Sequence, residues 1–499
     1  MGAMISKFIY IALFALVASH AEISFAGDIE WSGLYRIEGY SFNDLVLDTS
    51  LAKRKEYGVH NLILRPKIVA SDGIYITSQL NIFNNQGYNQ LGAYLGDGPG
   101  RTNGSPSTGV NDSSAQTANE RSVQLLVSQF YLTVLQENGA LVAGRVPMNF
   151  GLGVSYNAGT GLFDHFQDTR DGVGYKVQMG NFYFLPMWSK IAEGAHLSKG
   201  DDITEYDLIL EYDNLENGTS IGVIYANRLA TASGNDTPPG PISGYDVGAA
   251  TTDDMSTKNF NVFFKKDADA YKIGFEMGMQ GGTTGVDNAQ GTDIKLSGFA
   301  VALEYEYGRK DSHWSYGFKG GFATGDDPKT HDQYEGFIFS RNYDVGMMLF
   351  NHQMGQADIL HTALLGRTDR PVSDPGLTTV ESTPDAEAIS NVYYLAPSAT
   401  YHWNDHWSLV GTLVTGFLDN NTVYLDTGTA ATSTYVKTGK NLGYELDFSL
   451  RYKISDKITW YNEFGYLVPG DAWTVNGQAG TKFDTDNTFG VVTRAAVSF

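Results

Sequence analysis

The chain has 499 residues, no cysteine and a formal charge of −22. Without cysteine there is no disulfide scaffold and no thiolate metal site, and the acidic balance lacks the basic footprint of a nucleic-acid binder. Aromatics reach 13%, yet past the N-terminus nothing approaches the roughly 20 apolar residues of a membrane-spanning helix.

The N-terminus reads as a targeting segment. Lys7 supplies a positive charge, Phe8 to Ala18 an apolar core too short to span, and Ser19 to Ala21 and Ser24 to Ala26 two small-x-small sites. Cleavage after Ala26 is expected, which leaves 27–499 as one domain.

From Asp28 onward the pattern is hairpins. The first strand is expected at Glu30 to Phe42, with Trp31, Tyr35 and Ile37 opposite Arg36 and Glu38. The second, Tyr57 to Ala70, alternates Leu62, Leu64, Pro66 and Ile68 with Ile63, Arg65, Lys67 and Val69; the third is Ile74 to Asn84. Residues 85–119, polar and Gly-rich, form a long loop. Strands four to nine are placed at Arg121 to Gln136, Ala140 to Pro147, Gly172 to Met179, Phe182 to Ile191, Ile203 to Tyr212 and Thr219 to Arg228. After a loop at 230–254 come Met255 to Lys266, Ala270 to Gln280, Ile294 to Tyr307 and Ser312 to Ala323. The longest insertion is 324–388. Asn391 to Trp403, Trp407 to Leu418, Leu442 to Ile454, Ile458 to Val468 and Asn487 to Phe499 complete the set.

Every long loop then falls at one end and every tight turn at the other. That is the habit of bacterial outer-membrane barrels. The fold class expected is all-β: a transmembrane antiparallel barrel of about eighteen strands, with sixteen or twenty as neighbouring counts. At that size the interior is an aqueous space. The last strand puts Phe489, Val491, Thr493, Ala495, Val497 and Phe499 on one face. Bare backbone in lipid is intolerable, so this strand must close the sheet.

The faces have a polarity. Leu442, Tyr444, Leu446, Phe448 and Leu450 alternate with Gly443, Glu445, Asp447, Ser449 and Arg451. A Lys or Arg on the lipid side near mid-depth costs about 2–4 kcal/mol, so the charged face is the lumen. Arg36, Glu38, Arg65, Lys67, Glu445, Asp447, Arg451 and Arg494 are therefore expected as pore-lining residues that set selectivity. Arg145 joins them, on a strand that alternates less cleanly. Val345 to Leu365, too apolar for a bare surface loop, is expected to fold into the mouth, and Gly151 to Gly161 is a second candidate constriction. No H-E-x-x-H occurs, and Asp326, Asp327, Asp332 and Glu335 lack EF-hand spacing. No catalysis, cofactor or metal is expected.

Three pieces, N-L-G-Y-E-L-D-F (Asn441 to Phe448), R-Y-K-I-S (Arg451 to Ser455) and Y-L-V-P-G-D (Tyr466 to Asp471), resemble the C-terminal hairpin of the alginate-export family of outer-membrane porins. By residue match, Glu445 and Asp447 carry that family's strand signature. G-R-V-P-M-N-F-G-L-G (Gly144 to Gly153) looks like a segment of related proteobacterial barrels. The resemblance implies passive diffusion of a small hydrophilic solute, with anionic and sugar-like solutes among the options. Its implied partners are membrane lipid and lipopolysaccharide, the barrel-assembly machinery through Phe499, and further copies of the chain in a homo-oligomer. The rival expectation is a structural or adhesive surface protein with an occluded lumen.

Overall fold

The computed structural model describes residues 28–48, 54–84, 93–94, 124–192, 203–230, 254–287, 292–308, 312–362, 387–425, 434–475 and 483–499. The expected leader and most of the expected 85–119 and 230–254 loops lie outside them. Eighteen long strands follow one another around a single sheet: β1 (Ile29–Phe42), β2 (Lys55–Ser71), β3 (Ile74–Asn84), β4 (Gln124–Gln136), β5 (Gly139–Pro147), β6 (Thr169–Met179), β7 (Phe182–Ala192), β8 (Ile203–Asn214), β9 (Thr219–Ala230), β10 (Met255–Asp267), β11 (Tyr271–Asp287), β12 (Asp293–Tyr307), β13 (Trp314–Ala323), β14 (Val392–His402), β15 (Trp407–Leu418), β16 (Asn441–Ser455), β17 (Ile458–Pro469) and β18 (Thr488–Ser498). Each pairs antiparallel with its neighbour in sequence, and β1 pairs β18 from Leu34↔Ser498 to Phe42↔Gly490. The sheet is therefore a closed barrel without an edge, the form that satisfies every strand amide in lipid.

Directly paired residues share a face, so rows of partners fix which way each side chain points. Val497, Tyr35, Leu62 and Ile82 form one outward row. Arg451, Tyr461, Arg494 and Glu38 form an inward one. At the tight-turn end the outside carries a girdle of interfacial rings. Trp314 stacks on Tyr316, and Trp407 on Tyr452 at 4.3 Å between centroids. Trp460 donates its indole N–H to Thr493 at 3.0 Å. These features make the chain a transmembrane barrel of the bacterial outer membrane.

The closing seam is stitched at its tip. Gly33 and Phe499 exchange backbone hydrogen bonds at 2.9 and 3.0 Å. The Phe499 ring lies over Gly33, where a Cβ would run into the ring and sit 2.8 Å from the Ile63 carbonyl oxygen. Gly33→Val is therefore expected to lower barrel stability by about 1–3 kcal/mol through overpacking. The check is the temperature at which the heat-modifiable band on a semi-native gel shifts; an unchanged temperature removes this role for the glycine.

Two elements depart from the sequence pattern. β11 runs on through Gly281–Gly285 to Asp287, because pairing with Ser256, Thr257 and Lys258 of β10 carries a segment whose composition reads as loop. Beyond β15, Thr422–Leu425 and Thr434–Lys437 make a separate short hairpin. No helix among the described residues is long and apolar enough to cross a membrane.

Candidate functional site

Two segments leave the wall at the long-loop end and fold into the lumen. The first, residues 148–168, joins β5 to β6. Met148, Phe150 and Tyr156 pack on Met187, Ile209, Ile224 and Phe263 of the wall, with Phe150 edge-on to Phe263 at 4.9 Å. Gly151 and Gly153 take positive φ values of 55° and 82°, which turn the chain tightly enough to offer its amides to the wall. Glu276 of β11 accepts from Leu152 N at 2.7 Å and from Val154 N at 3.3 Å. Asn261 donates to Glu276 at 3.1 Å and to Ser155 Oγ at 2.6 Å.

The same segment then reaches β1, nine strands around an eighteen-strand ring from β10 and so diametrically opposite, and its neighbour β18. There Arg36 donates to the Asp164 carbonyl, and His165 Nε2 meets Glu38 at 2.8 Å. Phe163 lies 5.4 Å from the Tyr461 ring, with the Arg494 guanidinium 5.1 Å over its face. The segment thus spans the lumen from wall to wall.

The second segment, residues 324–362 with 387–391, joins β13 to β14. Met347, Met348, Leu349, Phe350 and Met354 are buried against inward residues of the wall, among them Tyr40, Phe42, Tyr394, Val414 and Val492. Glu445 accepts from Met348 N and from Leu349 N, both at 2.7 Å. Asp447 accepts from Met347 N at 3.0 Å. A carboxylate meeting successive backbone amides is a charge-assisted anchor. On the segment itself His352 lies 4.5 Å from the Phe42 ring. Burial first, and then the charges of Lys55, Arg494 and His165, hold its pKa well below the usual imidazole range.

The two segments are tied together. Asn342 Oδ1 accepts from His165 N and Phe166 N, both at 3.1 Å, and its Nδ2 donates to Phe166 O at 2.8 Å. Ser340 N donates to Val154 O at 2.6 Å. Together they form a septum across the lumen.

The sequence-predicted pore residues divide into groups. Glu445 and Asp447 point inward but are consumed by the second segment; Glu445 has 0% exposure. Arg36 and Glu38 are buried beneath the first segment, 3.3 Å apart. Arg494 is paired with Glu463, and Lys67 with Glu30 at 3.0 Å. Arg65 and Arg451 sit on the inner wall toward the tight-turn end and bond to neutral groups. Arg65 donates to Gln79 at 2.7 Å; Arg451 donates to Ser449 at 3.2 Å and lies 4.9 Å over the Tyr461 ring.

Arg145 requires a correction: it faces out of the barrel, not into it. It is paired in register with Phe130, which is 53% exposed on the apolar outer face. Its guanidinium holds the outward Asp171 carboxylate with two 2.7 Å bonds. Both faces of β5 are apolar or small, so alternation gave no direction.

Asn342 and Ser340 tie the two segments together and Glu276 anchors the first, and nothing local in the sequence marks the two ties. No group of three or more metal-ligating side chains occurs among the described residues. The stretch with Asp326, Asp327 and Glu335 bonds to its own backbone: Glu335 N to Asp326 at 3.1 Å, and Asp327 N to Glu335 at 3.2 Å.

No family model and no curated protein matches this chain. Among solved structures, OccK9 (OpdG) of Pseudomonas aeruginosa is 11% identical over 94% of this chain and 98% of its own, with a TM-score of 0.46. OccK2 (OpdF) of the same organism, solved in complex with glucuronate, is 8% identical over 95% and 97%, with a TM-score of 0.47. The outer membrane protein OpdK is 11% identical over 94% and 99%, at 0.45.

Proposed function

We propose that this barrel is a passive outer-membrane channel for small hydrophilic solutes, with a preference for anions. The observation that carries the anion preference is the pair Arg65 and Arg451. Among the described residues neither has a carboxylate partner, whereas the buried wall acids Glu276, Glu445 and Asp447 are taken up by septum amides. At these positions the wall leaves two cations on the lumen and gives three carboxylates to the septum. A cleft of one sign between low-dielectric walls concentrates ions of the other. In this reading the G-x-E-x-D strand, which resembles the alginate-export hairpin, holds the septum and does not itself touch the solute.

Reconstitution into planar bilayers under a salt gradient tests this. The expected result is ohmic steps with a reversal potential on the anion side. Arg65→Gln with Arg451→Gln should move that potential toward zero while the barrel stays closed. A cation-side potential in the unaltered protein overturns the preference. The septum favours one rival, a surface protein whose lumen is shut, and electrically silent barrels would select it.

A further inference from the structure

Two arginines of one inward row meet different fates. Arg451 of β16 and Arg494 of β18 stand directly opposite Tyr461 of β17, one on each side of it. Glu463 also points inward, because residues i and i+2 of a strand share a face. It is the one carboxylate on β15 or β17, the two strands that pair with β16. Arg494 takes it: Nε donates to Oε2 at 2.7 Å, and a terminal guanidinium nitrogen donates to the same oxygen. Arg451 does not. Its Nε donates instead to Ser449 Oγ at 3.2 Å, although Ser449 is the residue directly opposite Glu463.

Distance does not keep Arg451 from the acid. Diagonal neighbours on paired strands lie about 7–8 Å apart, which a long side chain spans. The Tyr461 ring occupies the guanidinium instead, 4.9 Å from it. That ring has a second neighbour: Phe163 of the first segment packs on it at 5.4 Å, with the planes at 51°. Phe163 is set against Leu34, Ile63 and Ala496 and lies under the Arg494 guanidinium at 5.1 Å. Arg451, Tyr461, Phe163 and Arg494 thus form one continuous stack that begins and ends on a cation. A guanidinium on a ring and an ion pair near water are worth similar, small energies. The two dispositions open to Arg451 are therefore closely matched, and the ring decides between them.

We propose that Tyr461 is a positioning residue: its ring holds the Arg451 guanidinium off Glu463 and so keeps that charge on the passage. The consequence for ions rests on the channel reading above; the competition of ring and carboxylate for the guanidinium does not. Without the ring, Arg451 turns to Glu463, which then serves two arginines. The lumen loses a cation that no carboxylate had neutralised.

The test is modification of Arg451 in the folded barrel by phenylglyoxal, an arginine-selective reagent, read by mass spectrometry of the digest. Tyr461→Leu is expected to slow the reaction about two- to fivefold, the protection that an ion pair near water supplies. Tyr461→Phe keeps the ring and should react as the unaltered protein does. In a Glu463→Gln background Tyr461→Leu should no longer slow the reaction, because the competing carboxylate is gone. Equal or faster modification in Tyr461→Leu, slowing in Tyr461→Phe as well, or slowing that survives Glu463→Gln overturns the proposal. If Glu463→Gln does not fold, the contrast between the leucine and phenylalanine variants gives the same reading. In planar bilayers, Tyr461→Leu should move the reversal potential toward the cation side as far as Arg451→Gln does. A slowed reaction with an unmoved potential would leave the role of Tyr461 standing and remove Arg451 from the anion preference, so the two failures are separable.

Discussion

Deleting Val345–Leu360 and bridging the ends with a short Gly-Ser linker is expected to raise single-channel conductance at least about twofold, because an eighteen-strand barrel encloses an aqueous space that this segment fills. The segment holds a buried block of methionine, leucine and phenylalanine inside the wall. Its removal returns that cross-section to water. The wall residues left behind include Glu445 and Asp447, which then face the lumen solvent and need no new partner. The barrel strands are untouched, so heat-modifiable migration should persist. Conductance unchanged in a folded deletion variant would mean that the permeation path bypasses this segment.

Glu445→Ala should loosen the septum without unfolding the barrel. The side chain is fully buried and accepts from Met348 N and Leu349 N. Losing the acceptor leaves two buried amides unsatisfied, at about 1–3 kcal/mol each. The segment keeps other holds: Asp447 on Met347 N, and Asn391, which donates to Ile359 O at 2.8 Å. The strain is therefore local. Amide exchange at Met347–Phe350 should speed up by roughly ten- to a thousandfold, while strand amides of β16 and β17 keep their protection. Glu445→Gln retains one acceptor oxygen and should fall between. Unaltered exchange at Met348 and Leu349 in the alanine variant would show that the carboxylate holds nothing.

The strands were legible because lipid enforces alternation: an outward Leu446 and an inward Glu445 cannot trade places without a charge meeting hydrocarbon. Where neither face carries that signal, as around Arg145 with Leu141 and Ala143 on one side and Val142 and Gly144 on the other, direction is lost. The inward sign of Glu445 was readable, but its task was not. Water and a backbone amide make the same demand on a carboxylate, and which one answers depends on a loop a hundred residues away. Asn342 is the extreme case. Nothing local marks it, since its three bonds go to residues 165 and 166. The run Gly281–Gly285 misled in the other direction, because a partner strand imposes pairing that glycine does not itself favour.

The bonds between Asn342 and the 165–166 backbone brace two inserts, each of which also grips the wall, so a load placed on either is shared by both. In the channel reading, current is therefore expected to switch between discrete levels together, in the manner of a door with a crossbar.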